Sequence, residues 1–224
     1  MSKQVLIVGL GQFGTALARS LAQGGVEVLA VDVRPERTQA LAGTVSEVAS
    51  FDAMDEAALR RAAPQRRDVC VTAIGEESRE ASIVVTAMLR QMGAPHVIAR
   101  ANDALHERIL HLVGAHEVIN PERVFGERFA RHIIFKDILE EVPLGADLVI
   151  TELEIPAKLV GRSLSELSLP GKYEVTVVGV RRSDDARRRV ILPNPGEPLR
   201  QGDILIVVAP PGAVARLASK SSLP

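Results

Sequence analysis

Residues 5–14 read Val5-Leu6-Ile7-Val8-Gly9-Leu10-Gly11-Gln12-Phe13-Gly14, and Asp32 ends the next apolar run. This spacing suits the binding of phosphate. Gly9 permits a tight turn after a buried strand, Gly11 carries no side chain to block a pyrophosphate, and Gly14 lets the following helix lie close on the sheet. The free N–H groups at the start of that helix, with Gln12 and Phe13 in the turn, offer donors to phosphate oxygens. Asp32 is placed to accept hydrogen bonds from a ribose. A glycine pattern alone is weak, but here it has a strand before it, a helix after it and an acid beyond it. The bland alternative is a close-packed turn that binds nothing, which leaves Asp32 idle at the sheet's edge.

Other strand ends carry groups aimed at the same crevice. Val33 and Arg34 follow Asp32 directly. Arg34 suggests a 2′-phosphate, but repulsion from Asp32 disfavours a 2′-phosphorylated dinucleotide. Asp52-Ala53 lies where an adenine ring is expected, so Asp52 either accepts from the exocyclic amine or caps a helix beginning near Met54. Ala73-Ile74-Gly75 are small enough at a fourth strand end for ribose or phosphate to approach. Arg100, ending a fifth strand, neutralises a terminal phosphate or else pairs with a carboxylate such as Glu122 or Asp103.

Catalytic chemistry is harder to find. The five histidines, at 96, 106, 111, 116 and 132, form no metal-spaced cluster. Serines occur without a nucleophile elbow. The single Cys70 excludes an internal disulfide and reads as a buried thiol. A formal net charge of −1 gives no overall case for nucleic acid or an anionic membrane. The arginine-rich loop 181–189 reads as a solvated hairpin tip. No signal peptide is expected, since Lys3 leads at once into a strand, and no apolar run approaches the ~20 residues of a membrane span. The expectation is a soluble, cytoplasmic protein.

The elements that must position these groups alternate regularly. Strands are expected at Val5–Val8, Val26–Val31, Glu47–Ala49, Val69–Ile74, His96–Ala99 and Glu117–Ile119, with amphipathic helices between them. That is an α/β fold, a Rossmann-type doubly wound parallel sheet. Pro121 then starts a helix to about Asp137 with surplus apolar residues, among them Phe125, Phe129, Phe135, Ile133 and Ile134. They are buried either on this chain's own later part or on a second subunit, and the second fits the excess better. Glu140–Asp147 reads as a connection. Beyond it lies a small α+β module, with strands at Leu148–Ile155, Glu174–Val180, Val190–Leu192 and Ile204–Val208, a short helix or turn at Gly161–Leu169, and a helix at Gly212–Ala218. The expected division is 1–139 and 140–224.

The glycine turn, Asp32, Asp52-Ala53 and the Asn120-Pro121-Glu122 entry into a long apolar helix resemble the regulator of K⁺ conductance (RCK) family. The tail is similar to that family's C-terminal module through Leu159-Val160-Gly161-Arg162-Ser163-Leu164, Leu167 and Gly202-Asp203-Ile204-Leu205. The resemblance covers essentially the whole chain. It implies a cytosolic, non-enzymatic subunit of Ktr or Trk type, peripheral to the inner face of the membrane and regulating an integral-membrane potassium-translocating partner. Such subunits pair through the crossover helix and assemble as octameric rings switched by ATP or ADP, with NAD(H) bound by related members. It further implies that Gly9, Gly11 and Gly14 frame the phosphates, Asp32 holds the ribose, Asp52 and Ala53 lie by the adenine, and Arg100 lies near the terminal phosphates. Glu122 matches an acid that ligates a divalent cation, Mg²⁺ or Ca²⁺.

Two departures from the family matter. Gln12 stands where ATP-gated relatives often have arginine, which weakens the case for ATP and leaves ADP or NAD(H) open. Pro170 and Thr176 stand where relatives that bind cyclic di-AMP have arginine and asparagine. Two other classes compete. An NAD-dependent oxidoreductase shares the pocket but lacks a recognisable acid, base or substrate domain. A nucleotide-sensing transcription regulator needs a DNA-binding head, for which a strand at residue 5 leaves no room.

Overall fold

The first apolar run forms β1 (Gln4–Val8), pairing in parallel with β2 (Glu27–Asp32) on one edge and β4 (Val69–Thr72) on the other. A strand with helices over both faces must be apolar throughout, which is why this segment does not alternate. Leu6 and Val8 face Val85 and Leu89, while Val5 and Ile7 face Ala18 and Leu41. Leu6 and Ile7 are fully buried, each contributing roughly 1.5–3 kcal/mol. With β3 (Glu47–Ser50), β5 (Val97–Arg100) and β6 (Glu117–Ile119), the sheet order is β3-β2-β1-β4-β5-β6, all parallel. The order reverses between β1 and β4, and a crevice opens there at the strands' carboxyl ends. The helices are α1 (Gln12–Gln23), α2 (Pro35–Gln39), α3 (Glu56–Arg61), α4 (Arg79–Gln91) and α5 (Ala104–Leu112).

This computed structural model describes residues 2–75, 78–134, 137–185, 187 and 189–219. Its contacts divide into two units, Met1–Val124 and Phe125–Pro224, with the division inside α6 (Pro121–Ile134). Among the described residues no helix is long and apolar enough to cross a membrane. Phe125, Phe129, Ile133 and Ile134 are each more than half exposed on α6, with Phe125 and Phe129 stacked at 5.8 Å. Phe135, expected in the same apolar group, lies outside the described residues, as do Ala186 and Arg188 of the arginine-rich loop.

The second unit is an antiparallel sheet of order β10-β9-β11-β8-β7, built from β7 (Ile138–Pro143), β8 (Val149–Glu154), β9 (Thr176–Arg181), β10 (Val190–Ile191) and β11 (Ile204–Ala209). Short helices α7 (Leu164–Leu167), α8 (Leu169–Tyr173) and α9 (Ala213–Ser219) complete it, with Leu153, Leu205, Val207, Leu169 and Leu217 in the core. One expectation is corrected here. The segment read as a connection, Glu140–Asp147, begins inside β7, which pairs with β8 along Glu140↔Glu152 to Pro143↔Val149. An edge strand tolerates Pro143 and two glutamates, Glu140 exposed and Glu141 partly buried, which hid it. Asp203, fully buried, accepts from Arg182 Nη1 at 2.7 Å and from the backbone N–H groups of Ser183 and Arg200 at 3.1 and 2.9 Å.

Candidate nucleotide-binding site

The glycine turn closes on backbone contacts. Gly9 has φ +97°, and its N–H donates to the Val31 carbonyl at 2.8 Å. A Cβ there would lie 2.9 Å from Ile74 N and 3.0 Å from Ala73 C. A Cβ on Gly14 would lie 1.9 Å from the Gly9 carbonyl oxygen. These two glycines thus fix how closely α1 and the end of β4 approach the turn. Gly11 differs, because a Cβ there would meet nothing within 4 Å. Packing does not require glycine at that position, whereas a ligand passing over the turn would. Gly11 is also the N-cap of α1 and supplies no side-chain acceptor, so the first-turn N–H groups remain available to an anion.

Asp32 ends β2 beneath this turn and is only 6% exposed. Its Oδ2 accepts from Leu10 N–H at 2.7 Å and from Arg37 Nη1 at 3.4 Å, and its Oδ1 accepts from Arg34 N–H at 2.9 Å. The carboxylate therefore ties the glycine turn to the start of α2. Arg37 was not anticipated. Its signal lay in Pro35, which starts a helix directly after the acid and turns the third helical residue back toward it. An open groove of about 630 Å³ is lined by Leu10, Gly11, Gln12, Thr15, Arg19 and Arg37 among others. Val33 is exposed.

Arg100, at the end of β5, ties the other side together. Its guanidinium lies 5.9 Å from the centroid of the Phe13 ring, and its Nη1 is 3.5 Å from where a Gly75 Cβ would stand. Its Nη2 donates to Glu122 Oε1, on the first turn of α6. Arg100 Nε is buried without a partner among the described residues. Of the two carboxylates considered for it, Asp103 is taken: it pairs with Arg79 and caps α5 by accepting from His106 N–H at 2.8 Å. Asn120 caps α6, its Oδ1 accepting from Arg123 N–H at 2.9 Å.

The structure thus brings Gly9, Gly11, Phe13, Gly14, Asp32, Ala73, Ile74, Gly75, Arg100 and Glu122 into one linked chain of contacts, with Gln12 at its rim. Ala53 packs in the same buried cluster as Val31 and Ile74, and Asp52 precedes it. Asp52 Oδ1 accepts from Met54 N–H at 2.9 Å, and the cap of α3 is Asp55, which accepts from Ala57 and Ala58 N–H. Asp52 is therefore a turn residue rather than the helix cap. Among the described residues no group of three histidine, cysteine or acidic side chains is placed to hold a metal.

Family comparison agrees with this geometry. The TrkA-N domain matches residues 5–121 and the TrkA-C domain residues 148–221. The chain belongs to the TrkA-N/TrkA-C family. Within it, the chain is 35% identical over 213 residues to the Ktr system potassium uptake protein A of Vibrio alginolyticus, covering 95% of both chains. It is 29% identical over 220 residues to the Ktr system potassium uptake protein C of Bacillus subtilis, covering 98% of both. Among solved structures, the GsuK channel bound to NAD superposes with a TM-score of 0.67 at 16% identity, over 100% of this chain and 40% of that one. This TrkA-N/TrkA-C chain spans less than half of GsuK, and at that identity the likeness is one of fold.

Proposed function

We propose that this chain is the nucleotide-sensing regulatory subunit of a potassium-uptake system, binding an adenine nucleotide without turning it over. The reading is carried by Arg100, which lies over the Phe13 ring of the phosphate turn, beside Gly75 after β4, and pairs with Glu122 at the entry of α6. A nucleotide phosphate reaching the α1 N-terminus competes with Glu122 for that guanidinium. Ligands differing in phosphate number or charge then hold α6 differently. This supplies the differential affinity for two states that any ligand-driven switch requires. Gln12 in the turn favours ADP or NAD(H) over ATP.

In this proposal residues 1–139 form the sensing module and 140–224 the C-terminal module. Asp32 holds the ribose through its remaining lone pairs, with Val33 and Arg34 on the same edge and Asp52 and Ala53 beside the adenine. A divalent cation, Mg²⁺ or Ca²⁺, fits Glu122 as one hard oxygen ligand among several, the others coming from phosphate oxygens and a neighbouring copy. The exposed Phe125, Phe129 and Ile133 face of α6 is buried against that copy. Pairs so formed assemble as an octameric ring beneath an integral-membrane potassium-translocating partner at the inner face of the membrane.

The test is calorimetry and thermal shift on the full chain with ATP, ADP, NAD⁺ and NADH, with and without Mg²⁺, alongside particle mass in solution. Tight binding of one nucleotide with a change of particle mass supports the switch. Absence of binding by all four overturns it.

A further inference from the structure

His106 stands in the first turn of α5 and is fully buried. Its backbone N–H donates to Asp103 Oδ1 at 2.8 Å, and its ring Nδ1 accepts from the backbone N–H of Asn102 at 3.3 Å. This is a capping box displaced by one residue, with an imidazole where Glu or Gln usually reaches back to the chain. Because Nδ1 accepts, the proton of the neutral ring sits on Nε2, and that nitrogen has no partner among the described residues. A buried donor left so costs stability, and the bond to Asn102 is what the ring supplies in return. The turn closed by that bond follows directly on Arg100. Ala101 N–H donates to the Ile119 carbonyl at 2.7 Å, and the next donor along the chain, Asn102 N–H, goes to His106.

We propose that His106 is a positioning residue for Arg100: neutral, it holds the turn between β5 and α5 that sets the guanidinium toward nucleotide phosphates, and protonated, it releases both turn and nucleotide. This rests on the reading of Arg100 as the phosphate partner and adds how that residue is regulated. A proton on Nδ1 faces the Asn102 N–H, donor against donor, so the turn loses its acceptor. Linkage then requires reciprocity: acid weakens nucleotide binding by the factor by which nucleotide weakens protonation of the ring. The charged groups acting on the ring are Arg79 of α4 and Asp103, the cap of α5, which pair with each other. Burial and Arg79 oppose the imidazolium and outweigh Asp103, holding the pKa below the ordinary histidine value. The turn-holding form therefore prevails near neutrality, and release belongs to lower pH.

The test is calorimetry of ADP binding to the full chain between about pH 7.5 and about pH 5.5, for wild type, His106→Asn and His106→Gln. Asparagine puts Oδ1 where Nδ1 stands and takes up no proton, whereas glutamine puts its amide where Nε2 stands and leaves Asn102 N–H bare. The phosphates of ADP gain a proton over the same range, so His106→Asn supplies the baseline. At the upper pH, His106→Asn is expected to bind within about twofold of wild type and His106→Gln about fivefold more weakly. On acidification wild type should lose at least about threefold more affinity than His106→Asn. Parallel pH profiles, or equal affinities for the two amides, overturn the proposal and leave the nucleotide site standing. Imidazole nitrogen NMR of wild type gives a reading that needs no variant to fold. An Nε2–H tautomer at the upper pH is expected, and an Nδ1–H tautomer overturns the proposal. Failure of wild type to bind ADP at any pH overturns the reading of Arg100 on which it rests.

Discussion

Arg100, at the end of β5, and Glu122, in the first turn of α6, are joined by an ion pair in which the guanidinium is largely buried and the carboxylate largely exposed. The asymmetry decides which partner can leave. Glu122 loses little by turning to water, whereas Arg100 needs a replacement acceptor, and its unpartnered Nε adds to that need. A phosphate is such an acceptor.

Glu122→Gln is therefore expected to raise affinity for ADP in metal-free buffer, because Arg100 no longer has to be drawn from a carboxylate. With the carboxylate open to water, the pair is worth about 1 kcal/mol, so the gain is about fivefold. Titration calorimetry reads it. Unchanged or weaker binding would show that Arg100 does not face the phosphates.

The glycines of the turn separate folding from binding. Gly14→Ala places a Cβ against the Gly9 carbonyl, and forcing α1 away should destabilise the first unit by about 1–3 kcal/mol, seen as a lower urea midpoint. Gly11→Ala meets no protein atom, so stability should stay within ~0.5 kcal/mol while nucleotide affinity falls about tenfold. A Gly11→Ala protein that binds normally would remove the argument for a ligand over this turn.

Asp203→Asn leaves the Arg182 guanidinium facing a neutral amide in a buried setting. Breaking such a pair costs about 3–5 kcal/mol, tempered here because Glu197 also pairs with Arg182 at 2.8 Å. Limited proteolysis of the variant should cut first in residues 181–203. A variant as protease-resistant as wild type would show that this clamp does not hold the hairpin.

Acid should weaken the first unit through His106, which is fully buried at the start of α5. Burial lowers its pKa below the ordinary histidine value and the Arg79 guanidinium lowers it further, against the opposing pull of Asp103. The unfolded chain takes up the proton near pH 6.5 and the folded chain only lower. The contribution is therefore full above that pH and lost as pH falls below it. Urea midpoints between about pH 7 and 5 should fall more steeply for wild type than for His106→Gln. Equal slopes would exclude this histidine.

How much of this was legible in the sequence depended on whether the signal was backbone or side chain. Gly9, Gly14 and Asp32 could be read because turn geometry and strand length dictate their places. All six strands of the first sheet appeared as apolar runs, differing from the observed bounds only at their ends. β7 was hidden because an edge strand lacks two buried faces, so Glu140, Glu141 and Pro143 looked like linker. Arg37 and the choice of Glu122 over Asp103 for Arg100 were illegible for another reason. Long side chains choose partners across elements, and neither periodicity nor spacing records that choice.

The sheet order also bears on how the chain is made. β1 is translated first yet lies third, and its second edge stays uncovered until β4 is synthesised. A nascent chain that has reached β3 therefore carries an open apolar strand edge, a hazard for misassembly. The phosphate turn is likewise incomplete until Ala73 and Ile74 close against Gly9, and Arg100 and Glu122 arrive later still. Ligand capture thus belongs only to chains that have completed the first sheet, so cellular nucleotide would stabilise finished subunits and leave stalled fragments to degradation.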